Sequence, residues 1–229
     1  GQTLSLTAGS DIGTTYSWSG PNGFTSASQN PTIGGASTLA SGTYSVTTTS
    51  AAGCTSAVGT TPVTVSATPT VTVSGNATIC NGSSTTLTAN VSSGTFPYFY
   101  TWSPSSSLSC SCSNPTATPT NTTTYSVSIN DNAGCVSSTA TFTVTLNSLP
   151  TVSASASPVT ICFGQSTTLS STASTTAPPL SYLWSTGGTT FSDVVTPAST
   201  GNSTYTITVT DANSCTAAAT TTVTVNGVP

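Results

Sequence analysis

Apolar and hydroxyl residues alternate in short segments along the whole chain. In Tyr125–Ile129 and Tyr205–Val209 an apolar side chain occupies every second position, and Thr141–Leu146 and Thr222–Val225 follow the same period. A period of two places one set of side chains on the buried face of a β-strand and the other set in water. Thr suits the wet face, because β-branched residues favour strands. The pattern therefore predicts an all-β chain.

Clusters of Gly, Pro and Asn separate these segments, as at Pro21–Gly23 and Thr186–Gly188. Such clusters are typical of turns. Roughly seven short strands for every 80 residues fit an antiparallel β-sandwich, and no segment shows a convincing helical period.

Three residue types recur together at a spacing of about 80 positions, which is the signature of an internal repeat. The recurring residues are Trp18, Trp102 and Trp184, Tyr44, Tyr125 and Tyr205, and Cys54, Cys135 and Cys215. Cys80 and Cys162 each precede a recurring Trp by 22 residues. We therefore expect three tandem domains, at 1–67, 68–149 and 150–229, of which the first lacks its first strand and first Cys.

The recurring aromatic residues are predicted to form the core of each unit. Trp18, Trp102 and Trp184 stand in register with the strand pattern and resemble the buried strand-C Trp of immunoglobulin-like (Ig-like) sandwiches. We expect Tyr44, Tyr125 and Tyr205 to lie in the same cores. A sugar-stacking role is the alternative for these rings, and core packing is favoured.

The composition narrows the possible functions. The chain of 229 residues has no Lys, Arg or His, and its only acidic residues are four Asp. Without cations it cannot neutralise phosphates, so we expect no binding to nucleic acid. Without His, Lys or Arg the usual general bases are missing, and the scattered Asp residues offer no glycosidase pair, so we predict no enzyme and no cofactor. No apolar run is long enough to insert into a membrane.

Several motifs resemble a known group of repeats. They are Thr78–Ser83 and Thr160–Gln165, Thr101–Pro104 followed by Leu108–Cys110, Thr124–Val127 followed by Asp131–Cys135, and Thr204–Tyr205 followed by Asp211 and Cys215. These segments resemble the tandem Ig-like or PKD-like repeats of large secreted surface proteins of the Bacteroidetes. The first repeat departs from the pattern, since Ser50–Cys54 contains no Asp.

The resemblance implies a non-catalytic, extracellular structural repeat of a surface adhesin, stalk or filament. Its expected partners are other copies or adjoining repeats of the same protein. Seven Cys without any His also favour an oxidising setting at the cell surface.

Pairing the cysteines within each repeat gives the bridges Cys80–Cys135 and Cys162–Cys215. Each would close a loop of roughly 55 residues and stabilise its unit by about 4 kcal/mol in the chain-entropy model.

Three cysteines remain after this pairing. Cys110 and Cys112 are expected to form a local bridge or to remain two thiols, because a C-x-C spacing gives poor support for zinc. Cys54 is the odd cysteine, and two interpretations stay open for it. The chain is a piece of a longer polypeptide, which we favour, or the first unit is completed by a strand from a neighbouring molecule.

Asp131 and Asp211 occupy equivalent turns after a strand. One carboxylate in each turn falls short of a calcium site, so no metal is predicted and an Asx-type turn is favoured. Asp11 and Asp193 are expected to have no partners.

Two further functions remain open from the sequence. Tyr98, Phe99 and Phe24 could bind surface glycans if their rings are exposed. The low charge removes the repulsion between copies, so self-assembly into fibres is plausible.

Overall fold

The computed structural model describes residues 1–9 and 15–228. Within these residues helix is confined to two short 3₁₀ segments, Pro21–Gly23 and Thr38–Ala40, and the other regular structure is strand. The all-β fold predicted from the two-residue period is confirmed. No helix in the described part of the chain has the length and apolar character needed to cross a membrane.

The strands are short and follow one another closely. The first sequence repeat contains β1 (Leu4–Ser5), β2 (Thr15–Ser19), β3 (Thr25–Ser26), β4 (Thr32–Ile33), β5 (Gly42–Thr49) and β6 (Gly59–Val63). The second contains β7 (Thr70–Ser74), β8 (Thr78–Cys80), β9 (Thr85–Thr86), β10 (Thr88–Ser92), β11 (Tyr98–Ser103), β12 (Thr116–Ala117), β13 (Thr123–Asp131) and β14 (Ala140–Asn147). The third contains β15 (Thr151–Ser157), β16 (Thr160–Cys162), β17 (Thr167–Ser174), β18 (Ser181–Trp184), β19 (Ser192–Val195), β20 (Gly201–Thr210) and β21 (Thr216–Asn226).

The chain divides into two compact units. The first unit comprises Gly1–Val73, Ala89–Ser103 and Ser126–Ala140, and the second comprises Ser74–Thr88, Pro104–Tyr125 and Thr141–Pro229. Residues of the second sequence repeat therefore contribute to both units, and the domain boundaries at 67/68 and 149/150 stay a prediction.

Two sheets of the third sequence repeat enclose an apolar core. One sheet has the strand order β15-β17-β19 and the other has the order β16-β21-β20-β18. Leu169 of the first sheet and Trp184, Ile207 and Val223 of the second belong to one buried cluster. Because apolar residues alternate with Thr and Ser, each strand turns one face to this cluster and the other to water.

The first sequence repeat has a smaller core. β3, β2, β5 and β6 form one sheet in that order, while β1 pairs with β4. Leu6, Trp18 and Tyr44 are buried together, and partly buried residues such as Phe24 pack against them.

In the second and third repeats, a three-residue strand pairs in parallel with one end of the last strand of the repeat. β8 runs parallel to β14 with Cys80 beside Asn147, and β16 runs parallel to β21 with Cys162 beside Asn226. β20 and β21 pair antiparallel over their whole length, so the turn between them lies at the other end of β21.

Candidate functional site

A disulfide bond joins residues of two consecutive sequence repeats. Cys80, at the end of β8, is bonded to Cys215, which directly precedes β21. Their Cα atoms lie 5.6 Å apart, within the usual range for a bridge, although the residues are 135 positions apart in sequence. Cys215 is fully buried and Cys80 is half-buried. The bridge therefore ties the second repeat to the third.

Backbone hydrogen bonds fix Cys80 at its place. The Asn81 amide donates to the Asn147 carbonyl at 2.9 Å, and the Ser83 amide donates to the Cys80 carbonyl at 3.0 Å. Cys80 is thus held where β14 ends, close to the start of the third repeat.

The turn before Cys215 is closed by Asp211. One carboxylate oxygen, Oδ1, accepts the amides of Asn213 and Cys215, each at 2.9 Å. The Asp211 amide in turn donates to the Cys215 carbonyl at 3.0 Å. The side chain thus takes the donors that a tight turn leaves unpaired.

Asp131 closes the equivalent turn of the second repeat in the same way. Its Oδ1 accepts the amides of Ala133 and Cys135 at 3.0 and 2.8 Å, and its Oδ2 accepts the Thr95 amide at 2.8 Å. Burial raises the pKa of Asp131, but the N–H groups of Thr95, Cys135 and Ala133 outweigh it and hold the pKa below its ordinary value. Both oxygens are occupied by amide donors, which is the arrangement of an Asx-type turn.

Ser50 replaces this Asp in the first repeat and preserves the turn. The Ser50 hydroxyl oxygen accepts the Cys54 amide at 3.2 Å, and the Ser50 amide donates to the Cys54 carbonyl at 2.9 Å. Cys54 therefore holds the position in the first repeat that Cys215 holds in the third.

The observed bridge differs from the pairing expected within each repeat. Cys162 lies beside Asn226, the last residue of β21, whereas Cys215 precedes the first residue of that strand. Ten steps of about 3.3 Å separate the two ends, roughly 33 Å, so a Cys162–Cys215 bridge cannot form. Cys80 takes the equivalent place beside Asn147, and its partner is Cys215 rather than Cys135.

The remaining cysteines form one local bridge and three thiols. Cys110 and Cys112 are bonded to each other, as one of the two sequence interpretations proposed. Among the described residues three cysteines have no disulfide partner: Cys54 and Cys162 are exposed, and Cys135 is half-buried. In the same part of the chain no three His, Cys, Asp or Glu side chains come together as a metal site would need.

Sequence reasoning missed the bridge between repeats because pairing by repeat places both cysteines of each bridge in one repeat. That pairing leaves only Cys54 over, whereas pairing between repeats leaves Cys54, Cys135 and Cys162. β8 and β16 each pair in parallel with the last strand of their own repeat. This parallel pairing distinguishes the two disulfide arrangements, and no local sequence motif indicates it.

Most of the recurring aromatic residues are buried. Trp18, Trp102, Trp184, Tyr44 and Tyr125 are at most 4% exposed. The indole N–H of Trp184 donates to the Thr190 carbonyl at 3.1 Å.

Tyr205 differs from this expectation, because it is only half-buried. β20 begins at Gly201, four residues before Tyr205, whereas β5 begins at Gly42, only two residues before Tyr44. Ala40, whose carbonyl accepts the Tyr44 hydroxyl, lies in a 3₁₀ segment, whereas the equivalent position in the third repeat, Gly201, is already extended strand.

The candidate sugar-binding rings lie in different environments. Phe24 is half-buried and packs edge-on against Tyr44, with ring centroids 5.4 Å apart. Tyr98 is also half-buried and donates its hydroxyl to the Ser93 carbonyl at 2.9 Å. Phe99 is 58% exposed, and nearby Phe96, which the sequence did not single out, is 78% exposed.

The expectation that Asp193 has no partner was wrong. Its carboxylate accepts the Thr186 hydroxyl and the Val194 amide. Asp11 lies outside the described residues.

Comparison with known proteins places the fold. No protein-family model and no curated protein matches the chain. A three-domain Ig fragment of titin, in an E-to-A variant, matches with a TM-score of 0.50 and 10% identity, over 100% of this chain and 94% of the fragment. At this identity the likeness concerns the fold alone.

Two other solved structures are similar at lower TM-scores. The ectodomain of mouse nectin-like molecule 4 has a TM-score of 0.45 and 12% identity, covering 98% of this chain and 94% of that one. The eight N-terminal Ig domains of Down Syndrome Cell Adhesion Molecule have a TM-score of 0.44 and 14% identity, covering 100% of this chain. The chain spans only 34% of that fragment.

With the strand pairing and the titin likeness together, the fold class is clear. The chain consists of tandem Ig-like antiparallel β-sandwiches.

Proposed function

We propose that this chain is a non-catalytic, extracellular structural repeat of a bacterial surface adhesin, stalk or filament. The observation that carries the proposal is the Cys80–Cys215 bridge, which ties one sequence repeat to the next. A bond of this kind fixes the spacing of consecutive modules and bears load across their junction. Those are properties of a stiff spacer.

Composition and compartment support the same role. The chain has no Lys, Arg or His to act as a general base or an anion clamp. Its disulfides persist in oxidising surroundings, which favours a position outside the cell. The motifs shared with PKD-like and Ig-like surface repeats of the Bacteroidetes support a bacterial surface protein. The proposed partners are adjoining repeats and other copies, with no role in binding nucleic acid.

The bridge should limit how far the chain extends under force. Pulling on the two ends loads the bridge directly, so the 135 positions it spans stay folded or slack. At about 3.5 Å for each residue, the C80S/C215S variant should extend roughly 470 Å further than the native chain on full unfolding. Single-molecule force spectroscopy without reductant measures this difference.

The local bridge supplies a matched control for this experiment. The C110S/C112S variant also loses one disulfide, but the bond spans only two positions, so its extension should match that of the native chain. Adding a reductant should lengthen the native chain to the value of the C80S/C215S variant. Equal extension of the native chain and the C80S/C215S variant without reductant would contradict the load-bearing role.

Glycan binding is the second candidate function, and the exposed rings of Phe96 and Phe99 favour it. The Phe96 ring lies 6.0 Å, centroid to centroid, from the ring of the half-buried Tyr98, and Phe99 is the next residue of β11. Exposed aromatic rings can stack on sugars. A glycan array with the native chain and the F99A variant tests this role, and an array on which both give no signal removes it.

A further inference from the structure

Three cysteines are equivalent to one or other half of the Cys80–Cys215 bridge but have no disulfide partner, and two of them, Cys54 and Cys162, are exposed. We propose that a second copy of this chain docks head to tail on the first, and that Cys162 of one copy forms a disulfide with Cys54 of the next. This inference builds on the proposed structural role and names its partner.

The surroundings of Cys162 repeat those of Cys80. The Phe163 amide donates to the Asn226 carbonyl at 2.8 Å, and the Gln165 amide donates to the Cys162 carbonyl at 3.0 Å. The corresponding bonds at Cys80 measure 2.9 and 3.0 Å. Both cysteines end a three-residue strand that pairs in parallel with the last strand of its repeat. Cys162 therefore presents the same backbone geometry as a cysteine that is bridged.

The surroundings of Cys54 repeat those of Cys215. In each case the residue that opens the turn donates its amide to the Cys carbonyl, at 2.9 Å from Ser50 and 3.0 Å from Asp211. A side-chain oxygen of that same residue accepts the Cys amide, from Cys54 at 3.2 Å and from Cys215 at 2.9 Å. Cys54 thus offers the second half of the same junction.

Exposure separates the bridged pair from Cys54 and Cys162. Cys215 is fully buried at its junction, whereas Cys54 and Cys162 are both exposed. Cys162 lies at the end of β21 remote from Cys215, and Cys54 lies at the end of β5 remote from the Gly42–Val63 pair. Among the described residues, each thiol therefore lies exposed at one end of the strands of its own repeat.

The charge of the chain permits two copies to approach. Its formal net charge is −4, and the turn at Cys54 contains Ser50 instead of an Asp. Little electrostatic repulsion opposes the contact. Because the two surfaces differ, the contact is heterologous and continues from copy to copy, as in a filament.

Bond formation needs an oxidant, for which a low-molecular-weight disulfide such as oxidised glutathione suffices. The Cys54 thiolate attacks the glutathione disulfide, forms a mixed disulfide and releases one glutathione thiol. The Cys162 thiolate of the second copy then displaces the other glutathione. In sum, two protein thiols are oxidised to one disulfide, and one glutathione disulfide is reduced to two thiols.

Two single-thiol variants test the orientation of the contact. The C54S/C135S variant keeps only the thiol of Cys162, and the C135S/C162S variant keeps only that of Cys54. One variant is labelled with ¹⁵N, and the two variants are mixed with oxidised glutathione. The products are separated without reductant, and their masses are measured by mass spectrometry. With the two variants at equal concentration, random pairing gives twice as much heterodimer as either homodimer. We expect a further excess of roughly tenfold over that ratio, which about 1.4 kcal/mol of preference produces.

A third variant controls for unspecific oxidation. C54S/C162S keeps only Cys135, which has the same turn but is half-buried and lines a cleft of about 690 Å³ together with Gly1–Leu4 of its own chain. It should stay monomeric under the same conditions. Circular dichroism and an intact Cys80–Cys215 peptide verify that every variant is folded.

Several outcomes would overturn the proposal. A heterodimer only twice as abundant as either homodimer would show random oxidation, and monomers capped with glutathione would show that the two thiols do not meet. In the native chain, a monomer with an internal Cys54–Cys162 bond would also exclude it. None of these outcomes bears on the proposed spacer role. That role is tested separately by the force spectroscopy of single chains.

Discussion

Residues at equivalent positions of the three repeats are held by different contacts. The Tyr44 hydroxyl donates to the Ala40 carbonyl at 2.9 Å, and the hydroxyls of Tyr125 and Ser107 lie 2.7 Å apart. Tyr205, in contrast, is partly open to water. The same residue type therefore contributes differently to stability in each repeat.

This difference predicts the effect of removing the tyrosine hydroxyl. The Y44F variant leaves the Ala40 carbonyl buried without its donor, and we expect it to lower the free energy of unfolding by about 1 kcal/mol. The Y205F variant is the matched control and should change the free energy of unfolding by much less. Urea unfolding followed by tryptophan fluorescence measures the free energy of unfolding of both variants. An equal decrease in Y44F and Y205F would contradict a specific stabilising effect of the Tyr44 hydrogen bond.

The spacing of the recurring residues and the two-residue period of the strands predict which aromatic side chains are buried. Each recurring Trp falls at a strand position that alternation assigns to the inner face, and the structure buries all three. The exposure of Tyr205 could not be predicted, because it depends on where β20 begins rather than on the residue itself.

Among the elements, the turn at Asp131 depends on an ionised side chain. Its carboxylate accepts three backbone amides, which hold the pKa of Asp131 below its ordinary value in spite of burial. A carboxyl whose pKa is lower in the folded state stabilises the fold above its unfolded pKa, which for Asp is about 3.9. That contribution is lost as the pH falls through the folded pKa.

The D131N variant tests this pH dependence. At neutral pH it should unfold at a lower urea concentration than the native chain, because an amide cannot accept hydrogen bonds on both of its terminal atoms. The gap should narrow as the pH falls below about 4, where the carboxyl of the unfolded native chain takes up a proton, and should close only at the lower pH at which the folded carboxylate is protonated too. Urea midpoints over this pH range give the answer, with D193N as a control that leaves the turn intact. A gap that does not change with pH would count against the ionised turn.

The parallel strands are the elements that sequence reasoning missed. β8 and β16 are three residues long, and their motifs carry no sign of whether they pair in parallel or antiparallel. Their partners β14 and β21 lie more than 50 positions further along the chain. A pairing of that kind is decided by which edges the finished sandwich leaves open, so it follows from the tertiary structure.

At the scale of the whole molecule, the surface has almost no charged side chains, so its side-chain contacts are mainly between neutral hydroxyl groups. Hydroxyl groups face each other across neighbouring strands where ion pairs are common in other proteins. The Oγ of Ser153 and the Oγ1 of Thr172 lie 2.6 Å apart, and those of Thr70 and Ser92 lie 2.7 Å apart. These contacts are neutral, and salt screens only interactions between charges.

The stability of the chain should therefore depend little on ionic strength. We expect the Tm, measured by circular dichroism, to stay nearly constant between low and high sodium chloride concentrations. An S153A/T172A variant should have a lower Tm by the same amount at both concentrations, since the lost contact is uncharged. A marked fall in the native Tm with added salt would mean that ion pairs, for instance with the N-terminal amine, matter more than the composition suggests.

The sequence by itself determined the all-β class and the repeat. The class follows from the two-residue period and the repeat from the spacing of Trp, Tyr and Cys, and neither requires knowledge of tertiary contacts. The partner of each cysteine was decided only by the tertiary structure, because a disulfide needs two Cα atoms within about 7 Å and sequence spacing does not measure that distance. Parallel pairing carries Cys162 to the far end of β21 from Cys215 and sets Cys80 beside the next repeat. The one long-range bridge, Cys80–Cys215, thereby links two neighbouring repeats instead of closing each one on itself.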